Sequence, residues 1–402
     1  MGGVGGREPG SGGATSGAGG RAGSAMGGAG GRGGSAGGGS PGAGTGGTVA
    51  AGGMSAAVAG PPETKPLGYG QGTTGGGSAA AVKVTSMAEL QAAIDAYAGS
   101  GGLVVSYAGH FDFTTITDPC AQWQKDAQIV EIKKKSDITI LGTDGSAANF
   151  GLHIAASSSN IIVRNMTFGL LPGGDASDAI SIEGMSGGVP TDLWLDHNEL
   201  FSSLAECDGA GDSSFDGLID LKKGADRVTI SYNYLHDHHK VSLNGFSDSD
   251  DATRHVTFHH NVFENIASRT PLQRHGLSHV LNNYFGNIAT SGINVRMSGY
   301  SLIEGNYFEQ VQNAVTSRDS DELGFWDLRN NNVRSPADFT TYGLTWEPST
   351  SSPTKDATDW TTTAAFPEAL GYTYTPDPAA CLKGNLVKFA GAGKALATIK
   401  CE

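Results

Sequence analysis

Five stretches of this 402-residue chain follow one template, and that repetition limits the folds open to it more than any other feature. They run Trp194 to Leu200, Thr229 to Leu235, Thr257 to Phe263, His279 to Phe285 and Leu302 to Phe308. Each carries an apolar residue, two variable positions, an asparagine, one further position and an apolar or aromatic residue. The asparagines fall at 198, 233, 261, 283 and 306, so the steps between them are 35, 28, 22 and 23 residues. Short strands repeating at this period with no crossover helix describe a solenoid in which each step is one coil. Stacking such coils about 4.8 Å apart brings the asparagines into one column at a turn, where amides satisfy one another's hydrogen bonds. The expected fold is therefore all-β: a parallel β-helix whose asparagines are structural. Ile162-Val163-Arg164-Asn165 begins a similar copy with its asparagine one place early.

The longer steps hold insertions, around Ser203 to Ser214 and Ser247 to Thr253, expected on the side of the coil that carries the charged residues described below. Ahead of the repeats, Val82-Lys83-Val84 reads as a short strand. Ser86 and Glu89 have capping-box spacing before an i, i+4 pair, Leu90 and Ile94, which marks a helix start.

Many of the chain's 62 glycines crowd the first 80 residues, among Ser, Ala and Thr. Such a stretch cannot bury enough apolar surface to offset its ordering entropy, so residues 1–65 read as a disordered linker and 66–402 as the β-helix domain. The N-terminus lacks the basic start and apolar core of a signal peptide, and no apolar run is long enough to span a bilayer. The expectation is a trimmed form whose linker once followed a signal, anchor or second module. Cys120, Cys207, Cys381 and Cys401 lack the paired spacing of zinc sites and suit two disulfides in an oxidising, extracellular compartment. Four cysteines allow three connectivities; nearest pairing in sequence order joins Cys120 to Cys207 and Cys381 to Cys401.

The net charge is −14, and because residues 1–65 hold four basic and two acidic residues, the rest of the chain carries −16. That balance argues against a nucleic-acid partner. Within it, residues 216–274 mix carboxylates, lysines and arginines among short apolar runs: Asp216-Gly217-Leu218-Ile219-Asp220-Leu221-Lys222, His236-Asp237-His238-His239-Lys240 and Arg269-Thr270-Pro271-Leu272-Gln273-Arg274. Carboxylates on a rigid scaffold suit a hard cation such as calcium, while arginine and lysine suit an anionic ligand. The histidines in this stretch, and His197, read as packed turn residues. Trp326 and Arg296 are candidates for a cleft wall, with core or surface positions equally simple.

Read together, these motifs resemble the pectate lyases of the parallel β-helix polysaccharide lyase family. Trp194-Leu195-Asp196-His197 is similar to that family's Trp-Ile-Asp-His signature, and Arg269 to Arg274 to its Arg-x-Pro-x-x-Arg signature. The opening Gly68-Tyr69-Gly70 with Thr73-Thr74-Gly75-Gly76 is similar too, and the resemblance runs from about Pro66 to Phe308. It implies a single-stranded, right-handed parallel β-helix and β-eliminative cleavage of polygalacturonate by a calcium-dependent, secreted, monomeric enzyme, with no nucleic acid and no membrane span. Carried over by motif, Arg269 is the Brønsted base, Lys240 and Arg274 assist catalysis by holding substrate carboxylates, and Asp178, Asp216 and Asp220 bind calcium.

Elementary chemistry sets conditions on those roles. Removing a proton α to a carboxylate adds charge to a group that is already anionic, so cations beside it should supply the largest stabilisation. Free arginine, with a pKa of about 12.5, acts as a base only where cations favour its neutral form and the solution is alkaline. On a flat strand Asp216 and Asp220 stand roughly 13 Å apart, too far for one ion, so Gly217 must bend the chain or the two serve separate ions. The competing readings are a lyase on methyl-esterified pectin, a β-helix hydrolase using Asp250-Asp251, and a non-catalytic carbohydrate-binding solenoid.

Overall fold

The computed structural model describes residues 57–143, 145–347 and 360–402. Three sheets of parallel strands wind around one apolar core, with ten, eight and seven strands. A representative turn of the solenoid runs from Asp226–Ser231 in the ten-stranded sheet to Tyr234–Lys240 in the seven-stranded sheet, then to Ser242–Asn244 in the eight-stranded sheet. The next begins at His255–His259, paired in register with the first: Val228 beside Val256, Ile230 beside Phe258. The fold is the expected parallel β-helix.

Because side chains alternate along each strand, every second residue enters the core, and parallel registry stacks like on like. Phe263, Phe285 and Phe308 form one such column, with ring centroids 5.0 and 4.7 Å apart and nearly parallel planes. The asparagine column is equally regular. Asn233 Oδ1 accepts from the backbone N–H and side-chain amide of Asn198, and the same pair of bonds links Asn233 to Asn261, Asn261 to Asn283 and Asn283 to Asn306. The column continues to Asn331, a sixth member that the template fits but that the sequence reading passed over. Immediately before each ladder position the chain turns a corner through the left-handed region, at Asn165, His197, Tyr232, His260, Asn282, Gly305 and Asn330. Asn165 thus occupies the corner, and Met166 takes the ladder position, its N–H donating to Asn198 Oδ1.

Cutting this column in the middle is costly. Asn261→Ala removes the acceptor of two Asn233 donors and leaves Ile230 O and Asn283 Oδ1 short of a donor, all in a dry interior. A loss of about 3 kcal/mol is expected, read as a lower urea midpoint with an unchanged m-value.

Met87–Ala96 is the expected helix, with Ser86 Oγ accepting from Glu89 N and with Leu90 and Ile94 buried. Glu89 itself reaches back to Thr85, whose N–H and hydroxyl both donate to it. Both disulfides form as nearest pairs, Cys120 with Cys207 and Cys381 with Cys401. The domain boundary differs from the sequence reading. Ala57–Gly60, placed above in the linker, pairs antiparallel with Thr398–Cys401, so the ordered fold takes in residues 57–65. The remainder of the linker lies outside the described residues. The two insertions also part company: residues 202–218 lead into the eight-stranded sheet and 245–254 lead out of it, so they flank opposite ends of its strands.

Candidate active site and metal centre

The eight-stranded sheet carries the charged residues. Asp220 lies in the strand Ile219–Lys222, in register with Ser181 on one side and Leu243 on the other. Asp216 precedes that strand, and Asp178 precedes the neighbouring strand Ile180–Glu183. The three carboxylates converge, each offering an oxygen within 4.8 Å of the others. Gly217 makes this possible. A Cβ there would lie 2.3 Å from Asp220 Oδ1, and its N–H donates to Asp178 Oδ1 at 3.0 Å, so the chain bends tightly between the two aspartates. Residues 216 and 220, far apart on a flat strand, end at one point.

Oxygens that share one calcium at 2.3–2.6 Å stand at most about 5 Å apart, so this donor set fits such an ion. The electrostatics point the same way. Burial, then the charge of Asp178, hold the carboxyl groups of Asp216 and Asp220 above the usual carboxylate range. The cluster is short of positive charge. Lys222 supplies part of it, with Nζ 2.6 Å from Asp178 and 3.5 Å from Asp220. Burial alone would depress its ammonium, yet Asp220 and Asp178 outweigh that and raise it. Lys222 was absent from the site predicted by sequence, although i, i+2 spacing on a strand places it on the same face as Asp220.

The cations stand alongside. Lys240, nearly buried, lies 2.7 Å from Asp175 and 3.7 Å from Asp216. Arg274 is paired, its Nε 2.7 Å from Asp248 Oδ1 and its Nη1 donating to Gly245 O at 2.9 Å. Arg269 differs: among the described residues its guanidinium has no hydrogen-bond or ion-pair partner. Its charge is nevertheless felt by Asp220, Arg274 and Arg296. Burial, then Arg274, pushes Arg296 down to about 9, and burial also lowers Arg274.

Other candidates settle into structural places. His238 is fully buried and burial pushes it down to about 3, a neutral packed ring. His236 is stacked on Phe201 and Tyr234, and His197 is buried between Asp196 and the carbonyl of Ala397. Trp326 is a core residue, and Arg296 is held by Asp319. Asp250, the leading acid of a hydrolase reading, is buried against Arg254 at 2.7 Å and accepts from Lys223 N and Phe246 N. A carboxylate spent on those bonds is not poised to activate water.

A family model described as pectate lyase matches residues 47–395. The chain is 45% identical to pectate lyase B of Dickeya chrysanthemi over 347 residues, covering 81% of this chain and 90% of that protein. It is also similar to the solved structure of pectate lyase II from Xanthomonas campestris, at 55% identity and a TM-score of 0.78, covering 83% of this chain and 100% of that one. Pectate lyase C from Erwinia chrysanthemi, solved at pH 9.5 with 30 mM calcium, matches at 42% identity and a TM-score of 0.77, covering 84% and 99%. A variant of pectate lyase C solved in complex with pentagalacturonic acid matches at 42% identity and a TM-score of 0.74, covering 83% and 97%.

Proposed function

The chain belongs to the pectate lyase family, and from that premise we propose that it cleaves de-esterified α-1,4-polygalacturonate by calcium-dependent β-elimination. Arg269 removes the C5 proton, the electron pair left at C5 forms the C4–C5 double bond, and the C4–O4 bond breaks with O4 taking up a proton from water, leaving a 4,5-unsaturated end. The observation that carries this reading is Arg269, an arginine with no hydrogen-bond or ion-pair partner among the described residues, beside three convergent carboxylates. A cation-binding group and an arginine adjoin one another, as proton removal α to a carboxylate requires.

Asp178, Asp216 and Asp220 would hold the calcium ion. Bound there, calcium supplies positive charge to the substrate carboxylate next to the departing proton. Lys240 and Arg274 hold substrate carboxylates, which orients the chain so that C5 faces Arg269. As charge develops on the carboxylate, the same cations stabilise it, and one such preorganised donor is typically worth about 3–4 kcal/mol. The surface at large is acidic, and the local row of Lys222, Lys240, Arg269 and Arg274 is what attracts a polyanion. Two disulfides suit an oxidising compartment, and among the described residues no helix is long and apolar enough to cross a membrane. We read the protein as a secreted monomer whose catalytic domain follows the glycine-rich N-terminal linker.

The direct test follows near-ultraviolet absorbance of polygalacturonate at alkaline pH, with calcium and then with a chelator. A calcium-dependent rise is the expected result. No rise in either condition, with binding retained, would replace the lyase by a carbohydrate-binding solenoid.

A further inference from the structure

We propose that Asp248 sets how strictly the cleft demands a free carboxylate on the sugar facing Arg274, and so governs tolerance of methyl-esterified substrate. The inference rests on the lyase reading above. Arg274 has a side chain only 13% exposed, and Asp248 is its ion-pair partner among the described residues. The pair is built in advance of any ligand. Ser320 Oγ lies 2.9 and 3.0 Å from the two Asp248 oxygens, and the His275 ring meets the Asp248 carbonyl at 3.0 Å. Arg274 is thereby fixed through Nε and Nη1.

The neighbouring cations do not share this carboxylate as a direct partner. Arg296, in register with Arg274, is held by Asp319, and Arg254 by Asp250. Arg269 lacks a partner of this kind among the described residues. A largely buried cation without a counter-ion discriminates strongly, because a neutral ester in place of a carboxylate leaves its charge uncompensated. A cation already neutralised loses little when the ligand brings an ester. Asp248 therefore weakens the attraction for a carboxylate and flattens the preference for it, at the cost of placing a negative charge beside a polyanion.

Asp248→Asn keeps an oxygen to accept from Arg274 and Ser320 while removing the charge. The measurement is kcat/KM on polygalacturonate and on highly methyl-esterified pectin, by absorbance of the unsaturated product, for the wild type and the variant. The ratio favouring polygalacturonate should rise about tenfold, the effect of exposing one uncompensated charge. Asp248→Ser, which also removes the charge, should move the ratio the same way and serves if the asparagine variant does not fold. A merely structural role would lower both activities alike; an unchanged or smaller ratio overturns the proposal. A wild type that forms no unsaturated product from either substrate overturns the lyase reading instead.

Discussion

Arg269→Ala is expected to lower kcat on polygalacturonate about a thousandfold while leaving calcium binding and folding intact. A positioned general base contributes about 10²–10⁴ in rate, and the guanidinium also adds charge where the transition state is anionic. The fold should tolerate the change. Since Arg269 has no hydrogen-bond or ion-pair partner among the described residues, its removal strands no buried group, and the stability change should stay within about 0.5 kcal/mol. Arg269→Lys should not restore activity, because an ammonium on a flexible stem does not reproduce the planar fork. Initial rates give kcat and KM, and calorimetry gives calcium affinity. In the wild type the rate should climb from neutral into alkaline pH, since only the neutral guanidine accepts a proton. A variant retaining more than a tenth of wild-type kcat, or a wild-type optimum at or below neutrality, would sink Arg269 as the base.

Asp220→Asn is expected to have two effects of opposite sign. Calcium affinity should fall about 100-fold or more, and activity with it, because a neutral amide replaces one of three carboxylates at the cluster. Without calcium, the same variant should unfold at a higher temperature than the wild type at neutral pH. The reason lies in linkage. Asp220 is buried beside Asp178 and its carboxyl is raised well above 3.8, so the unfolded state gives up that proton more readily than the folded state. Stability therefore falls as pH rises from the unfolded value through the raised one, and an uncharged side chain removes this penalty. Asparagine retains an oxygen for the Leu243 N–H, which donates to Asp220 Oδ1 at 3.1 Å. Thermal unfolding in chelator and in calcium reads both effects. A variant destabilised in chelator, or one with undiminished calcium affinity, would show that the carboxylates are a structural cluster.

The parts of the molecule legible in the sequence are those set by period and local spacing. A template recurring every 22 to 35 residues implies stacked coils, since each copy has an apolar face that only a neighbouring copy can cover. The asparagine column follows, because an amide at a fixed place in every coil finds its partner one coil away. Even so, the displaced Asn165 was unreadable until corner and ladder positions could be told apart. Ser86 with Glu89 marked a helix start because the cap is made within one turn.

Elsewhere the information is not local. Ala57–Gly60 joins the fold through a strand more than 300 residues away, and nothing in its composition separates it from the linker before it. Asp248 reads as one acid in a Ser/Asp-rich loop. Its pairing with Arg274 and its hold on Ser320 depend on how successive coils carry their loops. The roles suggested by residue type for Asp216 and Asp220 left their separation open, since strand geometry parts them and a bend unites them. The chain's chemistry thus dictates the coil, its columns and the residue types on its charged sheet. Which oxygens meet is settled by the path of the backbone, here the turn that Gly217 permits against Asp178, because a few ångströms of approach decide whether three carboxylates repel as strangers or close on one ion.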